Sequence, residues 1–226
     1  MITSLFTSRK FLQGESSPPY DSFNLATHVD DDLAAVLENR AALSQELGIP
    51  LQFMNQVHGS EVLRVNSAES DPTADALITT TPGLGLAVLV ADCIPLLMWD
   101  SQNTVVAAVH VGRRGAINGL VRKVVGEMRS LSDGEIHSII GPHICANCYV
   151  VGVDVAEEFE EHHPGCVRRH ATLTLDLAKA LSEDLASLSV VVNRVSGCTV
   201  EDLNLYSYRR DGVTGRFAGV IAIAAQ

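Results

Sequence analysis

The chain has 226 residues, 46% of them hydrophobic and 19% charged; this is enough apolar mass for one large folded domain and excludes the high-charge, low-hydrophobicity signature of disorder. A formal net charge of -11 argues against nucleic-acid or membrane-surface partners, because polyanions are repelled at long range, so any bound phosphate must meet a local basic pocket. Met1–Gln13 reads as no secretory leader, no apolar run is long enough to span a bilayer, and five cysteines form an odd set, so a cytoplasmic location with free-thiol or ligand cysteines is expected.

In chain order, residues 32 to 47 predict a helix with Asp30 or Asp31 as N-cap, Gly48 after its end and an apolar stripe at Leu33, Val36, Leu37, Leu43 and Leu47. Arg40 falls on that stripe, where a charge must snorkel out, pair in a structural salt bridge or meet an anion. Leu51–Val57 and Glu61–Val65 read as strands around a tight turn, His58-Gly59-Ser60, that presents the imidazole at a strand end. Leu84–Asp92 and Thr104–His110 are continuous apolar runs, as expected of strands buried on both faces, and they place Cys93 and His110 at strand ends.

Gly112–Gly115 then forms a glycine loop leading into an amphipathic helix with Ile117, Leu120, Val121, Val124, Val125, Met128 and Leu131 on one face. His137–Gly141 is strand-like, Asp154 and Glu157 predict a capping box for a helix ended by Pro164, and His162-His163 reads as its solvated last turn. Residues 174 to 188 predict a helix, and Val190–Val195 and Phe217–Ala224 complete the strands. The order is α/β, with a sheet core covered by helices, in a single domain over 1–226.

Three residues carry metal chemistry by type. His58, Cys93 and His110 offer two imidazoles and a thiolate, and three protein ligands leave a fourth position open on zinc. Their spacings of 35 and 17 residues match no compact zinc-finger ladder, so spacing alone leaves open a buried cysteine beside two unrelated histidines. Val109–Gly115 adds a helix N-terminus and two guanidiniums, Arg113 and Arg114, directly after one proposed ligand, which favours either an anion there or a simple turn with solvated arginines. Cys145-x-x-Cys148 could be half of a structural zinc site or a redox pair; with no second C-x-x-C it is read as a loop or core pair.

The segments DSFNL (Asp21–Leu25), Asn39-Arg40, NQVHG (Asn55–Gly59), ADAL (Ala74–Leu77), ADCIP (Ala91–Pro95) and YRRDG (Tyr208–Gly212) together resemble the YfiH family, also called the laccase-domain or polyphenol oxidase family. The resemblance runs from about residue 20 to the C-terminus. It implies a mixed-sheet α-β-β-α sandwich with a metal bound by His58, Cys93 and His110. It also implies phosphorolysis of adenosine, inosine and methylthioadenosine, with adenosine deamination as an associated activity. Partners are then a purine nucleoside and phosphate. The expected substrate-binding residues are Asn24, Arg40, Gln56, Asp92 and Arg114. Val111 and Arg113 stand where the family has Ala and Trp, and Val150 where it has Glu, which bears on stacking and on acid/base roles at those positions.

Zinc is the expected ion, with copper ranked below it: the chain has eight histidines and no H-x-H pair, whereas a multicopper cluster relies on such pairs. The zinc deaminase signature H-x-E with P-C-x-x-C is also absent, so deamination would need another constellation, with a metal-activated water attacking C6. For phosphorolysis, phosphate would sit by Arg114 and attack C1′. Asp92 and Asp75 are candidate orienting groups or bases, although neighbouring strand residues face opposite sides. Two further readings stand beside these: a cysteine hydrolase with Cys93 as nucleophile and His110 as base, acting on an amide such as a cell-wall peptide precursor, and a non-catalytic zinc-stabilised binding protein. The sequence leaves the oligomeric state open.

Overall fold

A computed structural model describes residues 1–225. In chain order the elements are β1 Ile2–Phe6, α1 Leu33–Leu47, β2 Leu51–Gln52, β3 Val62–Arg64, β4 Ala76–Thr79, β5 Gly85–Val90, β6 Ile94–Asp100, β7 Val106–Val111, α2 Arg113–Ile117 and α3 Leu120–Arg129. They continue with β8 Ile136–Ile140, α4 Val153–His162, β9 Val167–Arg169, β10 Leu173–Leu175, α5 Leu177–Ser187, β11 Val191–Arg194, α6 Tyr208–Asp211 and β12 Phe217–Ile223.

Two mixed sheets form the centre, one of four strands in the order β1-β12-β5-β2 and one of six in the order β11-β8-β6-β7-β4-β3. The period of two along each strand divides the apolar residues between three packing layers. Leu86, Val88 and Val90 of β5 face Leu97 of β6 and Ala108 of β7 between the sheets. Ala87 and Leu89 point the other way, toward Leu43 of α1. Ile94, Leu96 and Met98 of β6 meet Val121, Val124 and Leu181 of the helices beyond the six-stranded sheet. The result is the expected mixed-sheet α-β-β-α sandwich, in which strands buried on both faces need no alternation with polar residues.

Several local expectations are corrected. Asp32, rather than Asp30 or Asp31, caps α1 by accepting from the Ala34 N–H at 2.8 Å, and Leu33 and Leu37 are more than half exposed, because α1 buries only the narrow stripe of Val36, Asn39 and Leu43. The segments on either side of His58 do not pair: β2 joins β5 in one sheet and β3 joins β4 in the other, so the chain crosses between sheets where a tight turn was expected. No glycine loop follows β7; α2 starts at Arg113, and the break comes at Gly119, whose φ of 68° is left-handed.

The capping box at Asp154 does not form, since α4 is preceded by Gly152 without a side-chain cap. Asp176 caps α5 through the Lys179 N–H, which leaves Leu173–Leu175 to pair with β9 as a short strand. His163 is buried against Phe159, with ring centroids 5.0 Å apart, so only His162 of that pair is solvated. The strand β6 was hidden by Asp92 and Cys93, which mark a crossing between the sheets, and by Pro95, which lies within the strand opposite His110.

Candidate metal centre and cavity

Two chain crossings and one core strand deliver the three residues to one place. Ala91-Asp92-Cys93 carries the chain from β5 in one sheet to β6 in the other, with Asp92 at φ 101°, a conformation that L residues rarely adopt. Its carboxylate holds that turn in place: Oδ1 accepts from the Thr199 hydroxyl at 2.6 Å and the Ser207 hydroxyl at 2.7 Å, and Oδ2 accepts from the Arg209 N–H at 2.7 Å. His58, at φ 58°, lies on the crossing from β2 to β3, and His110 lies within β7, 4% exposed.

Asp75, fully buried just before β4, organises two of the three. Its carboxylate accepts from the backbone N–H of His58 at 3.0 Å and of Gly59 at 2.6 Å, and it lies 2.8 Å from Nδ1 of His110. Because Nδ1 donates to that carboxylate, His110 is left with Nε2 for the cavity side. Burial would raise the Asp75 carboxyl, but His110 and the N–H groups of Gly59 and Val57 hold it below its ordinary value. Burial would likewise raise Cys93 and lower His110; their mutual attraction wins, aided by His58 at the thiol and Asp75 at the imidazole. Cys93 falls to about 6 and His110 rises to about 9.

His58 Nε2 is 3.8 Å from Cys93 Sγ, and one ligand atom from each of His58, Cys93 and His110 lies within 4.8 Å of the others. Tetrahedral zinc, with bonds of about 2.0–2.1 Å to nitrogen and about 2.3 Å to sulfur, separates such atoms by roughly 3.6 Å, so the donor set fits that ion with a fourth position left open. A cavity of about 330 Å³ opens over the centre. Its walls include Gln56, Asp92, Ile144, Tyr149, Arg209 and Arg216. The Arg209 guanidinium lies 5.4 Å from the Tyr149 ring centroid.

Of the expected substrate-binding residues, Gln56 and Asp92 line this cavity and three do not. Gln56 spends its amide on both backbone groups of Leu89, at 2.7 and 2.8 Å, which pins the His58 segment against β5. Asn24 is fully buried and accepts from the Arg216 N–H at 2.8 Å, so it acts on the cavity only through Arg216. Arg40 donates to Asp71 and to the Leu25 carbonyl, both at 2.8 Å, with its guanidinium 4.0 Å from the Phe53 ring centroid, which is the structural salt bridge of the alternatives above. Arg114 is solvent-exposed, because α2 turns Gly115 and Ala116 inward instead.

The guanidinium groups that line the cavity are therefore those of Arg209 and Arg216. Sequence reasoning missed both as binding residues: Arg209 stood inside YRRDG without an assigned role, and Arg216, before the last strand, carried no signal. Arg113, which stands where the resemblance expects Trp, pairs with Glu158 and is not among the cavity residues. At Val150 the backbone carbonyl, accepting from Arg209, makes the contact.

A family model described as multi-copper polyphenol oxidoreductase laccase matches residues 3–224. A purine nucleoside phosphorylase of Corynebacterium glutamicum is 40% identical over 97% of this chain and 94% of its own length. One from Deinococcus radiodurans is 38% identical over 98% and 89%. Among solved structures, a Neisseria meningitidis protein of the DUF152 family superposes with a TM-score of 0.89 at 34% identity, covering 99% of this chain and 95% of that one. YfiH of Bacillus licheniformis superposes with a TM-score of 0.88 at 26% identity, covering 98% and 92%.

Proposed function

Because the chain belongs to the multi-copper polyphenol oxidoreductase laccase family, which includes YfiH, we propose that its single catalytic domain, residues 1–226, is a zinc-dependent purine nucleoside phosphorylase. The observation that carries this reading is one cavity that combines a soft His-Cys-His donor set with two guanidiniums, alongside relatives named for that activity. The substrates are adenosine, inosine and methylthioadenosine, adenosine deamination is a second activity, and the location is cytoplasmic. No helix among the described residues is long and apolar enough to cross a membrane.

Zinc held by His58, Cys93 and His110 would supply a Lewis acid beside the cavity. Arg209 and Arg216 supply the local positive field that an acidic protein needs to hold phosphate, and Tyr149 offers a flat apolar face for the purine. A phosphate oxygen forms the bond to C1′ as the bond from C1′ to the purine nitrogen breaks, and the proton carried by the phosphate ends on the departing purine. Asp75 keeps the His110 ring oriented throughout, and Asp92 keeps the Arg209 backbone beside the site. Two imidazoles and a thiolate suit zinc over copper, and no methionine is among the cavity residues described.

The Asp75, His110 and Cys93 series favours one second reading, a cysteine hydrolase whose thiolate is the nucleophile. Metal analysis and nucleoside turnover, with and without phosphate, on wild-type protein and Cys93→Ser decide between them. The phosphorylase reading expects zinc in the wild type, phosphate-dependent release of free purine, and joint loss of turnover and of the ion on His58, Cys93 and His110 in the folded variant. A wild type without metal, or an inactive variant that keeps stoichiometric metal on His58 and His110, overturns it.

A further inference from the structure

Two loops meet on the cavity's outer wall, one following β8 and one following β11. The His143 and Cys198 backbones form a parallel bridge, and the Thr199 N–H donates to the His143 carbonyl at 3.1 Å. Each loop then makes a tight turn. In the first, the Cys148 N–H donates to the Cys145 carbonyl at 3.0 Å; in the second, the Glu201 N–H donates to the Cys198 carbonyl at 3.1 Å. Such i to i+3 turns bring the first and last side chains to one side, so Cys145-x-x-Cys148 faces Cys198-x-x-Glu201. The partner that the C-x-x-C lacked in sequence is a C-x-x-E.

We propose that Cys145, Cys148, Cys198 and Glu201 form a second, structural metal site that binds zinc. One ligand atom from each lies within 4.8 Å of all the others. Glu201 Oε1 is 3.9 Å from Cys145 Sγ and 3.6 Å from Cys148 Sγ, against the roughly 3.6 Å that separates sulfur and oxygen ligands on tetrahedral zinc. The Cys145 N–H also points at Cys198 Sγ, 3.3 Å away, a donor that stabilises a thiolate. Four acidic groups converging on one point repel one another once ionised, and a divalent cation relieves that repulsion.

Four protein ligands close this site, in contrast to the three around His58, and a closed set is the mark of a structural role. The site also reaches the cavity by short covalent paths. Ile144 and Tyr149, which flank the C-x-x-C, both line the cavity; the Ile144 N–H donates to the Asp92 carbonyl at 2.9 Å, and Thr199 donates to the Asp92 carboxylate. An ion here would staple the wall that carries Tyr149 to the loop that fixes Asp92. The site stands on its own geometry and is independent of the nucleoside reading.

The test loads zinc, and separately cobalt, into three purified proteins: wild type, a His58→Ala/Cys93→Ser variant that disables the first centre, and a Cys145→Ser/Cys148→Ser variant. Metal is counted by elemental analysis, with circular dichroism to confirm folding. The wild type should hold about one ion per chain more than the Cys145→Ser/Cys148→Ser protein. The His58→Ala/Cys93→Ser protein should keep about one ion per chain, with thiolate-to-cobalt charge-transfer absorption. Equal metal content in wild type and Cys145→Ser/Cys148→Ser, or a folded His58→Ala/Cys93→Ser protein that takes up neither ion, overturns the proposal. So does thiol titration of reduced, zinc-loaded wild type that finds Cys145 and Cys148 joined in a disulfide. If the Cys145→Ser/Cys148→Ser chain does not fold, Glu201→Gln replaces it, with weaker zinc retention expected and unchanged retention overturning.

Discussion

Asp75 and His110 are joined twice, by the carboxylate at 2.8 Å from Nδ1 and by the His110 N–H donating to the Asp75 carbonyl, also at 2.8 Å. The same carboxylate gathers the His58 and Gly59 N–H groups, so one buried acid orients the His110 ring within β7 and holds the His58 backbone on the crossing from β2 to β3. An orienting partner of this kind fixes the tautomer of a ligating histidine and raises its basicity.

Asp75→Asn should therefore lower zinc affinity by about 10–100-fold, the usual cost of removing such a partner. Competition with a chromogenic chelator measures this, while the thermal melt of the metal-free proteins reports any purely structural loss. Unchanged affinity in a folded variant would remove Asp75 from the positioning role.

Gly112 tests the crowding of the same centre. A Cβ built there would lie 3.1 Å from His58 Cδ2 and 3.2 Å from Cys93 Sγ, yet its φ of -87° suits any residue. Gly112→Ala should thus displace His58 or Cys93 without backbone strain, at a cost of roughly 1–3 kcal/mol in overpacking. The expected result is a folded protein with reduced zinc occupancy; full occupancy at wild-type affinity would show that the side chains yield freely.

Away from the site, Asp100 links the end of β6 to two loops. It accepts from the N–H groups of Thr104 and Val105 at 2.7 and 2.9 Å, and from the hydroxyls of Ser132 and Thr104 at 2.7 and 2.9 Å. Burial would raise its carboxyl, but these donors hold it below its ordinary value. A depressed folded value means that the stabilisation is complete above the unfolded value of about 3.9 and is lost as pH falls through the folded one. Asp100→Asn should cost roughly 1.5–3 kcal/mol at neutral pH, and the gap to wild type should close in acid. Denaturant melts across pH check both; a gap that is constant with pH would refute the charge-based account.

The core strands were legible because burial on both faces leaves an unbroken apolar run, as in β5 and β7, and the amphipathic α3 because its period is strong. Pairing was not legible. Which sheet takes Leu51 and which takes Val62 depends on contacts with β5 and β4, distant partners that no local pattern names. The metal residues were recognisable as types and through shared segments, and the structure brings His58, Cys93 and His110 together. Arginine roles were the weak point, since a guanidinium reads the same in sequence whether it meets Asp71, as Arg40 does, or faces the cavity, as Arg216 does.

Arg216→Ala and Arg114→Ala should therefore differ in their need for phosphate. Under the proposed phosphorylase reading, Arg216 lines the cavity and supplies a cation where phosphate must sit, whereas Arg114 is solvent-exposed on α2. A charge-assisted hydrogen bond is worth roughly 1.5–3 kcal/mol, which corresponds to about a 10–100-fold rise in the KM for phosphate when it is lost. The rise should fall on phosphate more than on the nucleoside and should leave zinc content intact, because among the described residues the Arg216 side chain bonds to the Thr214 and Gly215 carbonyls and to none of the three metal residues. Arg114→Ala should match wild type within a factor of about 2, as expected of a solvated surface charge. Initial rates at varied phosphate for the two folded variants settle the assignment: a phosphate defect in Arg114→Ala with none in Arg216→Ala would return the anion to the start of α2 and move it away from the cavity described above.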